Sequence, residues 1–329
     1  MEASSTTWIK KFIRSKMFTL LLLLILIIVF FTVVTGGQYI GLRNIKNIFA
    51  SLTVAALLTI GAGCLIISGQ MDLSTGAVGT SAALIFGVFL TNMGLPWLAA
   101  LLLTLILCAL FGLMNAALIN ELGFQGFITT MASASIAQGA GLIVTGAKAV
   151  KISDKFMVYI GTGKIFNGFL PVSIFIALAA FIGFGVMLKK TKFGRSVYLV
   201  GGNPQAARLS GLNPKRVSYI LFTNSSVMGG LAGILLAASL KSATNSGITG
   251  NQFTGMTAAI LGGISFGGGA GGMGGAFMGL LILNAFNNGM TTIPGLDSFW
   301  RMAASGALLL FALTLDVISQ RSARMKRGK

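Results

Sequence analysis

An all-α polytopic membrane protein with about ten transmembrane helices is the fold class this chain predicts, and three observations carry that prediction. Hydrophobic residues make up 55% of the 329 residues, charged residues only 9%, and mean hydropathy is +0.88. No soluble domain of this size buries that much apolar surface. The 24 Lys and Arg residues fall in clusters between or beyond apolar runs. A net charge of +18 would otherwise suit nucleic acid, but no aromatic residues interleave the clusters, so the pattern fits positive-inside orientation. Histidine is absent and the carboxylates number six. That excludes Ser-His-Asp chemistry, His-based metal sites and His proton relays. Cys64 and Cys108 sit in apolar runs without ligand spacing, so neither a disulfide nor a metal site is supported.

Residues 1–16 form a basic head, with Lys10, Lys11, Arg14 and Lys16. Residues 17–34 are an unbroken apolar run with no small-residue cleavage site behind it, and read as a retained first helix. Further spans are expected at 45–68, 74–91, 95–119, 124–145, 171–188, 217–240, 253–266, 273–290 and 299–319, within a single transmembrane domain over 17–320. The eighth is too short for a simple crossing and the third follows directly on the second, so broken or re-entrant helices are expected near Asp72 and over residues 262–275. With ten spans and the amino terminus inside, sixteen Lys and Arg lie inside and eight outside. This places both termini, the tail 321–329 and the loop 189–216 in the cytoplasm, with loop 146–170 outside.

The loop 189–216 holds seven basic residues and no acid. Within it, residues 203–211 read as a small complete helix. Asn203 suits the N-cap, Pro204 the first turn, and Gly211 the left-handed position that ends a helix. Two turns cannot be stable alone in water, so the rest of the chain or a partner must hold them.

Two stretches break the apolar pattern. At residues 67–76, Asp72 lies between apolar spans with no basic neighbour, where a carboxylate near mid-membrane costs roughly 3 kcal/mol. Asp72 or Ser74 caps the third span, or the break with Gln70, Asp72 and Ser74 lines a substrate path; both can hold. At residues 261–275, Gly269, Gly271 and Gly274 formally match G-x-G-x-x-G, but no strand precedes them and no acid follows at the required distance, which excludes a nucleotide fingerprint. The run reads as a flexible break between half-helices, and its Ser265 and Phe266 are further candidates for the substrate path. The two breaks lie about 190 residues apart, which hints at a two-fold internal repeat. Asn284, Asn287 and Asn288 share one face of the ninth span. Their amides suit either a sugar or hydrogen bonds between helices.

Residues 193–195 (Phe-Gly-Arg) and 201–211 (Gly-Gly-Asn-Pro-Gln-Ala-Ala-Arg-Leu-Ser-Gly) together resemble the membrane permease subunits of ABC importers for monosaccharides. This is the ribose, xylose and galactose type, grouped with branched-chain amino acid permeases. Supporting matches are Met71-Asp72-Leu73-Ser74 with Gly76, residues 126–130, 261–263 and 287–289, and the resemblance covers residues 45–316. It implies that Gly194, Arg195, Asn203, Ala206, Ala207, Arg208, Leu209, Ser210 and Gly211 couple the chain to a separate ATP-binding subunit. It also implies a soluble substrate-binding protein, a second permease subunit of the same or a related chain, and residence in the bacterial plasma (inner) membrane. No catalytic residue, cofactor or metal is implied. The chain departs from the family at Gln252-Phe253-Thr254, where relatives carry an acid followed by Leu, and at Ala270 and Gly272, where they carry polar residues. The substrate is thereby left open between a sugar, a sugar-like signal molecule and a nucleoside. An ion-coupled secondary transporter using Asp72 is the rival from another class.

Overall fold

A computed structural model describes residues 16–327 except 167, 294 and 297; all but Lys16 of the predicted head, and the last two residues of the tail, lie outside the described residues. Those described form thirteen α-helices and four two-residue strands. In chain order they are α1 (Lys16–Val34), α2 (Leu42–Ile67), α3 (Thr75–Gly87), α4 (Trp97–Asn120), α5 (Gly126–Thr145), α6 (Lys155–Thr162) and α7 (Ser173–Lys190). These are followed by α8 (Lys192–Gly202), α9 (Pro204–Leu209), α10 (Pro214–Leu240), α11 (Gln252–Leu261), α12 (Met273–Thr292) and α13 (Ser298–Arg327). Seven are long and apolar enough to cross a membrane: α1, α2, α3 with its π-helical extension to Asn92, α4, α5, α7 and α10.

The helices form an inner and an outer set. Most of α2 and α10 is buried, and α3 is buried almost throughout. By contrast α1, α4, α5 and α7 turn most of their length outward, with Val33 75% and Ile143 82% exposed. Apolar side chains facing outward all around the bundle are what a lipid solvent requires. Inside, small residues set the spacing. A Cβ on Gly233 of α10 would lie 1.8 Å from the Gly79 carbonyl oxygen of α3, so these two helices cross backbone against backbone.

One end of the bundle carries α6 and the antiparallel pair of Val150–Lys151 with Ser242–Ala243. The other carries α8 and α9. Depth along the bundle follows from contacts. Thr75, the first residue of α3, shares a hydrogen bond between hydroxyls with Ser225 of α10 (3.1 Å). Ser225 lies eleven residues into its helix, so α3 begins about 16 Å inside that end. Short α11 also begins deep, because Gln252 lies against Gly76 and Gly255 against Leu58. Thus the amino ends of α3 and the short α11 meet near mid-depth, and α11 runs back towards the α8–α9 end. The non-helical stretches 68–74 and 262–272 fall where the sequence places its two breaks.

Candidate functional site: a capped surface helix and a polar break at mid-depth

The chain folds sharply after α7. Thr191 accepts the Gly194 amide at 3.0 Å and starts α8. Gly194 is buried at this corner, where a Cβ would lie 2.3 Å from the Leu188 carbonyl oxygen. Asn203 alone separates α8 from α9, and its Oδ1 accepts the amides of Gln205 and Ala206, both at 3.0 Å. Pro204 occupies the first turn, as the sequence leads one to expect. Gly211 takes φ +81°, and the Leu212 amide closes back on the Ala207 carbonyl at 3.0 Å. Asn213 then caps α10 by accepting the Arg216 amide. Three caps in 23 residues fold a polar segment that has little core of its own.

Only one side chain of α9 points inward: Ala207 is buried at 3% exposure, while Leu209 stands 90% exposed. Arg195, Asn203, Ala206, Arg208, Ser210 and Gly211 are exposed around it. Gly194 and Ala207 therefore shape this surface from beneath, and the remaining coupling candidates form its outer face. Beside it, Lys215 and Glu121 pair at 2.7 Å across the starts of α10 and the loop after α4. The Lys215 hydrogen bond and charge hold the Glu121 carboxyl below the ordinary carboxylate range.

At mid-depth, Asp72 is 4% exposed and Ser74 fully buried. Asp72 Oδ1 accepts both the backbone amide (2.8 Å) and the hydroxyl of Ser74. The capping interaction is thus made one residue ahead of α3, in the turn that leads into it, and not to the first amides of the helix itself. Asp72 Oδ2 is enclosed near the hydroxyls of Thr75 and Ser225 without a well-formed hydrogen bond. Asn115 of α4 donates to Ser74 Oγ at 3.1 Å, and Thr130 of α5 accepts the Leu73 amide at 3.2 Å. Gln252 Oε1 and Gln70 Oε1 are also buried without partners. Asn115, Ser225 and Gln252 were not among the residues predicted for the path. Asn115 is an isolated polar residue in an apolar run, Ser225 belongs to the polar run 223–226, and Gln252 follows Asn251 at the start of a helix.

The other predicted path residues lie elsewhere. Asn284 hydrogen-bonds Ser51 of α2 (2.9 Å), Asn288 accepts from Asn44 of α2 (2.8 Å), and Asn287 accepts from Ser305 of α13 (2.9 Å). Their amides tie α12 to its neighbours, the second of the two uses the sequence allows. Ser265 and Phe266 lie in the second break, at the α8–α9 end, where the Phe266 amide donates to Asp316 at 2.9 Å. Of the eight candidates, only Gln70, Asp72 and Ser74 belong to the mid-depth break.

Comparison with known proteins agrees with this architecture. Residues 44–313 match the family described as branched-chain amino acid transport system / permease component. The chain is 32% identical over 290 residues (88% of this chain, 86% of the relative) to the probable ABC transporter permease protein YphD of Escherichia coli K12. It is 31% identical to the galactose/methyl galactoside import permease protein MglC of the same organism, over 84% of this chain and 87% of the relative. To the ribose import permease protein RbsC of Bacillus subtilis it is 30% identical, over 83% and 84%. A solved structure, PsaBC from Streptococcus pneumoniae in complex with Fab, aligns over 89% of this chain with TM-score 0.48 and 14% identity, a likeness too distant to bear on mechanism. With a family match across most of its length and a multi-helix membrane architecture, the chain belongs to this family of permease components: it is a multi-pass transport subunit, and ATP hydrolysis resides in a separate partner.

Proposed function

We propose that this chain is the permease subunit of an ATP-driven importer for a monosaccharide or closely similar solute. In this reading a soluble binding protein delivers the solute at the face carrying α6, and a second permease subunit completes the pathway. Both termini and the α8–α9 end face the cytoplasm of a bacterial inner membrane, in keeping with the sixteen-to-eight division of Lys and Arg. Relatives whose names specify galactose and ribose support the substrate class.

The observation that carries the coupling role is the form of α9. It is a six-residue helix, fully capped, that buries one alanine and presents Leu209 and Arg208 outward. Such a helix has no reason to be built so firmly unless its outer face is used. The ATP-binding subunit supplies a groove for it, and movement of that groove is passed into the membrane.

The test is Leu209→Asp, assayed beside the parent chain for recovery with the ATP-binding subunit and for ribose and galactose uptake. An exposed anchor replaced by a charge is expected to lower uptake at least about tenfold while the protein still inserts. Unchanged uptake by a correctly assembled variant refutes the coupling role of α9. Uptake driven by a proton or sodium gradient without the ATPase would instead favour an ion-coupled transporter using Asp72.

A further inference from the structure

The two membrane breaks touch each other, and the last turn of α8 closes over the place where they do. The Gly269 amide of the second break donates to the Ile67 carbonyl at the mouth of the first, at 2.8 Å. Gly201 lies directly on this bond. A Cβ there would sit 1.8 Å from Ile67 O and 2.7 Å from Gly269 N, both main-chain atoms with no side chain to move aside. From the other side, a Cβ on Gly268 would meet Gly201 O at 2.6 Å and Gly69 N at 2.9 Å, and Gly268 holds φ +79°. One turn before Gly201, the Tyr198 hydroxyl donates to Gly271 O at 2.9 Å. Gly202 differs from its neighbour: a Cβ added to it would meet nothing within 4 Å. Asn203, the cap of α9, follows at once.

This arrangement is stiff because it is main chain on main chain, with no flexible side chain between the parts. A hinge between α9 and the membrane would separate them by a loop; here one residue does so. Displacement of α9 therefore reaches 67–69 and 268–271 through the same contact. We propose that Gly201, with Gly69, Gly268 and Gly269, forms a joint that moves both membrane breaks together when α9 moves, and that Gly201 is the positioning residue on which coupling depends. This rests on the reading of α9 as the coupling helix. It adds the route by which one helix commands two breaks that lie far apart in sequence.

The joint is tested by thiol labelling of the full chain assembled with its ATP-binding subunit. Single cysteines replace Gln70 in the first break and Phe266 in the second, and a maleimide reports their labelling rates with and without ATP. The native Cys64 and Cys108 are buried and give little background. In the parent chain both rates are expected to change by at least about threefold on adding ATP, and in the same assemblies Gly201→Ala is expected to abolish both changes. Gly202→Ala is expected to retain them, since its methyl group meets open space. Tyr198→Phe removes one tie and no volume, so it tests the joint even if Gly201→Ala fails to fold; a reduced response at both breaks is expected. The joint is overturned if Gly201→Ala responds like the parent, if ATP changes only one break, if Gly202→Ala loses the response equally, or if Tyr198→Phe leaves both responses whole. A parent assembly in which neither cysteine responds refutes the coupling role of α9 itself, a different failure from that of the joint.

Discussion

The run into α3 at the first break is held by side chains, and the second break is held mostly by main chain. Around residues 68–74, main-chain amides close the end of α2, while the amides leading into α3 are answered by the side chains of Thr130 and Asp72, with Asn115 and the Thr75–Ser225 hydroxyl pair packed beside them. Around 262–272 the chain largely satisfies itself, with Gly263 N to Ile260 O, Gly268 N to Ser265 O, Ser265 N to Ala270 O and Gly269 N to Ile67 O, and Asp316 and Tyr198 add one side-chain bond each. Both are solutions to one demand, that no backbone polar group be left unpaired away from water. They have different consequences. The side-chain solution leaves enclosed oxygens such as Asp72 Oδ2 and Gln252 Oε1 without a well-formed hydrogen bond. The main-chain solution permits the close approach that side chains would prevent.

That contrast is broken or sharpened by substitutions with graded effects. The largest is expected at Gly262, where a Cβ would lie 2.1 Å from Gly275 O and 2.4 Å from its carbon. Gly262→Ala must push two backbones apart, a cost on the order of 4 kcal/mol or more, and is expected to reduce recovery of folded protein in size-exclusion profiles. A normally folded variant would show that the second break adapts, against the rigid picture. Next is Asp72. Asp72→Ala removes the acceptor for two Ser74 donors and should lower stability by about 2–3 kcal/mol in thermal unfolding. Asp72→Asn keeps an acceptor at Oδ1 and should fold. If the folded Asn variant transports normally, Asp72 is a structural cap; if it folds but does not transport, the first break is a working site. Thr130→Val leaves only the Leu73 amide unpaired, and a loss of about 1–2 kcal/mol is expected. No loss would mean that this end of the break is not held by side chains.

Much of this could be read from residue types. The apolar runs marked every long helix, and the pairing of Asn203 and Pro204 with Gly211 marked α9 with both its caps. Asp72 and the glycine run marked the two breaks, because a lone carboxylate and clustered glycines each interrupt a helix for a known reason. Partnerships were not readable. Asn284, Asn287 and Asn288 share a helix face whether they meet a solute or Ser51, Ser305 and Asn44, and periodicity cannot distinguish these. Nor does anything in residues 201 and 202 show that one glycine is closed in by Ile67 and Gly269 while its neighbour is open. That difference arises from segments about 130 and about 70 residues away, and exists only once the helices are packed.

The smallest effect is expected outside both breaks, at Glu121 and Lys215, and it tests whether depth is what gives the polar contacts above their weight. Both side chains are about half exposed, so water and salt screen the pair. The Glu121 carboxyl is held below its ordinary value by Lys215. A depressed folded-state value means that the contribution is present above the ordinary carboxylate range and disappears as pH falls through the folded-state value. Glu121→Gln should therefore shift the unfolding midpoint less than Thr130→Val does. Any shift should shrink with added salt and vanish in acid. A shift as large as that of Thr130→Val, and indifferent to salt, would mean that the α4–α10 corner is anchored as firmly as the buried break, and that burial alone does not separate the two kinds of polar contact in this chain.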